Sequence, residues 1–204
     1  VSSLRDFERF LRASALRSAQ LLNKADLARD VGVSGPTVAE WLAVLQASGQ
    51  IAVLEPWFSN RTKSLVKRPK LYVADSGLCA FLAGIRDSSD LFDSPLAGAL
   101  WETFVFSEIR RLQMARGGGW ELFFWRDRTK EAVFLMHRAG RFTLADAKWT
   151  EHPDARDAGE LRKAKVTGMA VACRAANRHP IGEGAEAIPV CDIGSLFAPR
   201  SGAA

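Results

Sequence analysis

Asp146 and Lys148 are the residues whose types and spacing could do chemistry. They close the apolar run Arg141-Phe-Thr-Leu-Ala-Asp-Ala-Lys148. Side chains on a strand alternate between faces, so two residues two apart share one. An acid and a lysine side by side at a strand end could work on a phosphodiester. The carboxylate would hold Mg²⁺, and the ammonium would position water or offset phosphate charge. The same pair on a solvated strand end would do nothing, so the reading needs further acids. Glu102 is one candidate. It stands among Leu100, Trp101, Phe104 and Val105, and an acid in such company is informative only if it is buried with a partner.

These residues need elements to position them. Trp120–Trp149 holds three short apolar runs parted by charged or Gly-containing breaks, which predicts consecutive antiparallel strands. Leu96–Met114 has the periodicity of a long helix. Arg156–Lys165 reads as a helix, Val166–Arg174 as a strand and Ala187–Asp192 as a last strand. The fold class expected for this half is mixed α/β.

The first third reads differently. Ser3–Leu22 is predicted to be an amphipathic helix. Asn23 caps a short helix, Lys24–Asp30. Val31-Gly32-Val33 turns, and Ser34 caps a third helix with Pro36 in its first turn. Two helices across a short glycine turn are a helix-turn-helix pattern. The strands Ile51–Trp57 and Lys70–Val73 follow, joined by a basic loop, so the whole reads as a winged helix. The helix Ser34–Ser48 carries Glu40 as its one charge, with Thr37 and Gln46 as further polar candidates, which is poor equipment for reading base edges. The cations sit in the wing: Arg61, Lys63, Lys67, Arg68 and Lys70. Such a cluster could neutralise phosphates without sequence selectivity. Asp75 or Ser76 caps a further helix that stops at Gly84, and Arg86–Ser94 reads as a connector. The expected domains are 1–88 and 89–204.

Bulk properties set the limits. With 204 residues, 48% of them hydrophobic, the chain can bury a real core. The net charge of +5 permits nucleic acid as a partner without requiring it. Cys79, Cys173 and Cys191 are odd in number, widely spaced and lack C-x-x-C spacing, so neither a zinc site nor a disulfide framework is indicated, and a reduced, cytoplasmic protein is the simplest inference. His137, His152 and His179 lack metal-cluster spacing. Trp101, Trp120, Trp125 and Trp149 read as packing residues. No apolar run is long enough to span a bilayer. The chain begins at Val1 and not at Met, so it reads as a piece of a longer protein.

With these stretches in hand, the chain resembles the carboxy-terminal region of a prokaryotic AAA-type ATPase family. There a winged helix precedes a PD-(D/E)xK nuclease-like fold. The resemblance rests on Arg68-Pro-Lys-Leu-Tyr-Val-Ala-Asp-Ser-Gly-Leu78, Gly98–Val105, Leu122–Arg126, Lys130-Glu131 and Asp146–Thr150, in the expected order. It implies that Glu102 is the helix acid of the nuclease fold. Asp146 and Lys148 would be its strand acid and lysine, and Arg126 would end the first strand. The family typically reads Glu-Val-Asp-Phe in the second strand. This chain reads Glu131-Ala-Val133-Phe, so Val133 stands where a metal-binding Asp is expected. An isopropyl group cannot ligate a hard cation. Glu131 has the longer arm that would have to stand in.

The resemblance therefore implies a degenerate nuclease fold serving as an accessory module that binds nucleic acid or a partner. The alternatives are an active Mg²⁺-dependent nuclease using Glu102, Glu131, Asp146 and Lys148, with Asp146 and Glu102 on the metal, or an oligomerisation module without DNA binding. No G-x-x-x-x-G-K-[ST] occurs, so no ATPase activity is expected from this chain, and ATP would belong to a domain upstream of it. Expected partners are DNA, the ATPase domain of the same polypeptide and further copies of the chain.

Overall fold

The chain is a mixed α/β protein whose computed structural model describes residues 4–57, 68–117, 119–126, 131–157, 166, 168–182 and 184–197, without the side chains of 126 and 131–133. It divides into two compact units, 1–104 and 105–204. Among the described residues no helix is long and apolar enough to cross a membrane.

In the first unit, α1 (Leu4–Ala15), α2 (Lys24–Val31) and α3 (Gly35–Ala47) accompany a small sheet. Its strands β1 (Gln20–Leu21), β3 (Lys70–Val73) and β2 (Ile51–Leu54) lie in that spatial order, all antiparallel. The central strand β3 is buried along its whole length. The helices meet over Phe10, Leu27, Val38, Trp41 and Leu42. Trp41 takes Phe7 edge-on at 5.3 Å, one of the geometries aromatic rings prefer.

The turn between α2 and α3 follows from its residues. The Asn23 side chain accepts from the backbone of Ala25 and Asp26 and so starts α2. Gly32 ends it in the left-handed region at φ 80°, with its N–H donating to Ala28 O. Ser34 caps α3 by accepting from Thr37 N. The expected first helix, in contrast, stops at Ala15 and does not reach Leu22. Ala19 turns to φ 66° and donates its N–H to Leu71 O, while Leu22 N donates to Pro69 O. Pairing with β3 overrides helical periodicity there. The strand expected over Ile51–Trp57 ends at Leu54.

Two short helices follow: α4 (Ser76–Leu82), capped by Asp75, and α5 (Ser88–Asp93), capped by Asp87 within the stretch read as a connector. The long helix α6 (Ala97–Arg116) runs through the point where the two units divide.

The second unit is a six-stranded mixed sheet of β4 (Glu121–Arg126), β5 (Glu131–Arg138), β6 (Arg141–Ala147), β7 (Gly168–Cys173), β9 (Ala185–Pro189) and β8 (His179–Gly182), in that spatial order. The first three strands are antiparallel neighbours, as the sequence suggested. β6, β7 and β9 run parallel, and their middles are buried, as parallel strands require. β8 was not expected. His-Pro-Ile-Gly has no strand pattern, and a proline suits the sheet edge it occupies. The last strand begins at Ala185 and gives way at Val190 to a 3-10 helix, η1 (Val190–Phe197). Residues 158–165 of the expected helix Arg156–Lys165 lie outside the described residues.

Gly32 and Gly98 make a paired test, because a Cβ at either meets nothing within 4 Å and only Gly32 has a positive φ. Gly32→Ala should destabilise by about 1 kcal/mol. Gly98→Ala should stabilise by about 0.5 kcal/mol. Urea denaturation of each variant reads the two opposite signs.

Candidate functional site

Asp146 sits on β6 opposite Val171 of β7 and is fully buried. A buried carboxylate costs several kcal/mol unless charge and hydrogen bonds meet it. One oxygen accepts from the backbone N–H of Ala147 at 2.8 Å, and the other lies 3.1 Å from Lys148 Nζ. The shared face expected from strand alternation is the face observed. Lys148 continues the ladder, donating its backbone N–H to Ala172 O at 3.0 Å, while its side chain is 38% exposed. The pair thus has a sealed carboxylate and an ammonium that reaches solvent.

Glu102 is half-buried, its side chain 15% exposed, and it has partners. Its Oε1 accepts from Lys70 Nζ at 2.9 Å and from Tyr72 OH at 2.6 Å. Lys70 and Tyr72 are two apart on β3 and share its face. One residue on, Thr103 Oγ1 lies 2.8 Å from Ser18 Oγ, which in turn accepts from Val73 N. The grouping of Lys70 with the phosphate-facing cations is therefore corrected. Its side chain is 5% exposed and its charge is met by Glu102. Of the other four, Arg68 is exposed, and Arg61, Lys63 and Lys67 lie outside the described residues.

These donors do not fit a Mg²⁺ cage. Magnesium takes six oxygens in near-octahedral array. Asp146 faces an ammonium and its own backbone, and Glu102 faces an ammonium and a phenol. Among the described residues no three His, Cys, Asp or Glu gather closely enough to hold a metal. The side chains of Glu131, Val133 and Arg126 lie outside the description, and so does Lys130. The backbone around position 133 is irregular. The β4–β5 register shifts between Phe123 and Trp125, so Phe124 stands against two β5 positions, 133 and 134.

Sequence reasoning missed Lys70 and Tyr72 as the partners of Glu102. The available signal was the alternation in Lys-Leu-Tyr-Val, which puts a cation and a phenol on one strand face. The outward residues of α3 include Glu40, Ala43, Val44, Gln46 and Ala47 and no cation. His137 stacks on Phe142 at 4.6 Å, with its Nδ1 2.8 Å from Glu121. Cys79 and Cys173 are buried, but Cys191 is exposed despite its apolar neighbours in sequence.

Two outcomes follow. Glu102→Ala leaves the Lys70 charge buried and uncompensated and should cost about 3 kcal/mol or more, while Lys70→Met with Glu102→Leu should recover most of it; urea midpoints read both. Burial pushes the Cys79 thiol up to about 11 and raises that of Cys173. A thiol reagent at pH 8 should therefore label Cys191 quickly, and Cys79 and Cys173 only after denaturation.

Comparison with known proteins adds descriptions without activities. The protein is 30% identical over 179 residues to the uncharacterized protein Rv2008c of Mycobacterium tuberculosis and, equally, to the uncharacterized protein Mb2031c of Mycobacterium bovis. The alignments cover 85% of this chain and 39% of either relative, so the chain spans well under half the length of the curated relatives it matches. The crystal structure of protein VC1899 from Vibrio cholerae aligns over 95% of this chain and 55% of that one, at 13% identity and a TM-score of 0.31. Residues 1–89 match a domain of unknown function, DUF8612, and residues 97–193 match a second, DUF4143.

Proposed function

We propose that this chain is a non-catalytic accessory module of an AAA-type ATPase that binds nucleic acid through its phosphates without reading sequence. The observation that carries this reading is that Glu102, the acid a nuclease-like fold would aim at a metal, is held by Lys70 and Tyr72. The capture of Asp146 by Lys148 supports it in the same way. On this reading the first unit is a winged helix and the second a nuclease-like fold without its metal. The second domain is typically found in AAA-ATPase-associated proteins, which supports the ATPase as partner.

The absence of cations on the described outward face of α3 argues against base readout. Phosphate contact then falls to Arg61, Lys63, Lys67 and Arg68. A second reading has α3 dock a protein partner, favoured by Val44, which is 57% exposed in the middle of that helix.

Anisotropy titrations with short DNA duplexes of unrelated sequence test the proposal. Similar affinities are expected, falling steeply between about 50 and 200 mM salt, with neutralisation of Arg61, Lys63, Lys67 and Arg68 flattening the salt slope by about three to four. Mg²⁺ or Mn²⁺ should elicit no cleavage. Metal-dependent cutting that vanishes in Asp146→Ala would overturn the non-catalytic reading, and affinity indifferent to salt would overturn phosphate binding.

A further inference from the structure

The described arginines and lysines of the second unit divide into two kinds, leaving aside Arg110, which is half-buried and has no ion pair among the described residues. Arg111, Lys148, Arg156, Arg174 and Arg178 each lie within ion-pair distance of a carboxylate. Arg116, Arg138 and Arg141 do not: among the described residues no acid comes within that distance of any of them. All three are exposed.

Two of the three are held by aromatic rings. The Arg138 guanidinium lies over Trp120 at 5.5 Å, and the Arg116 guanidinium lies 6.0 Å from the centre of Phe197. Trp120 and Phe197 meet edge-on at 5.1 Å, so the four side chains form one connected row. The Gln113 side chain donates to Trp120 O at 2.7 Å and so ties the backbone of Trp120 to α6. Phe197 is 3% exposed, whereas Arg116 beside it is exposed. Arg174 provides the contrast. It lies over Trp149 at 4.2 Å but also pairs with Glu151, so its charge is met.

Arg141 joins the row through the hairpin. It stands directly opposite Arg138 across the β5–β6 turn, in register. Like charges facing each other on a strand pair are destabilising. A helix C-terminus accounts for a cation at Arg116. Among the described residues of the second unit no acid stands by the two opposed arginines, and an anion held by both would account for them.

We infer that Arg116, Arg138 and Arg141 form a phosphate-backbone-binding site for nucleic acid on the second unit, with Trp120 and Phe197 holding two of the guanidinium planes in place. The planar fork of arginine matches phosphate oxygens two at a time, and stacking on a ring restrains it beforehand. Phe197 is covered, so it offers no anchor to a bilayer or to an apolar peptide. The inference rests on the reading of this chain as a nucleic-acid binder and adds a second contact surface to it.

The test uses the whole chain and a short fluorescein-labelled DNA duplex, titrated by anisotropy across a salt series. Arg116→Gln, Arg138→Gln and Arg141→Gln together should weaken binding at least about tenfold and flatten the salt slope by about 2.7, or 0.9 for each of three contacts. Lysine at the three positions should keep most of the slope. Should the triple variant fail to fold, Arg141→Gln alone should flatten the slope by about 0.9. An unchanged slope in these variants, with loss on neutralising Arg61, Lys63, Lys67 and Arg68, would overturn this site and leave the proposed function standing. A wild-type chain that does not bind DNA would remove both. Tighter binding to phosphatidylserine vesicles or polyglutamate, abolished by the same three substitutions, would reassign the site to those ligands.

Discussion

A carboxylate inside a protein must find a cation, and Glu102 finds one on β3. Lys70 and Tyr72 both point at it because they are two residues apart on one strand. That spacing fixes the strand. A slip of one residue would turn Leu71 and Val73 toward Glu102 and leave a bare charge against apolar groups. The loss would be several kcal/mol, comparable to the net stability of a domain. β3 is also the centre of its sheet, so β1 and β2 inherit their register from it. The neighbouring contacts run the same way, with Ser18 linking Thr103 to the backbone of Val73. One ion pair with two hydroxyl-bearing neighbours thus aligns the sheet of the first unit with the opening turns of α6.

The second unit solves a similar problem with a different outcome. Asp146 is as buried as a side chain can be, but its cation stands at the end of the strand and reaches solvent. A lysine sealed like Lys70 can only support structure. A lysine placed like Lys148 can still meet a ligand from outside. Next to β6, β4 and β5 lose register at Phe124, beside position 133. An irregular backbone and an aliphatic residue there support the proposed reading of a nuclease-like fold without its metal.

Charge is distributed by the same logic. Cations that face acids are neutralised locally and say little about partners. The helix that would enter a groove has no cation on its described outward face, whereas arginines with no acid partner among the described residues stand at the β5–β6 hairpin and at the end of α6. A basic chain with charge placed in this way suits a repeating anionic backbone better than a particular base sequence.

The sequence by itself determined what local rules decide. It determined the caps at Asn23 and Ser34, the glycine turn at Gly32, the three antiparallel strands after Gly119 and the common face of Asp146 and Lys148. Each depends on residues a few positions apart. It also showed that an uncharged residue stands at 133. The partners of Glu102 were beyond it, since Lys70 lies 32 residues away and read equally well as a phosphate contact. So was the early end of α1, where pairing with a distant strand outweighs helical periodicity, and so was β8, whose residues carry no strand pattern. The row of Arg138, Trp120, Phe197 and Arg116 is drawn from four separate segments. Only tertiary structure decided these, because a buried charge or a stacked ring is defined by what the fold brings to it and not by its neighbours along the chain.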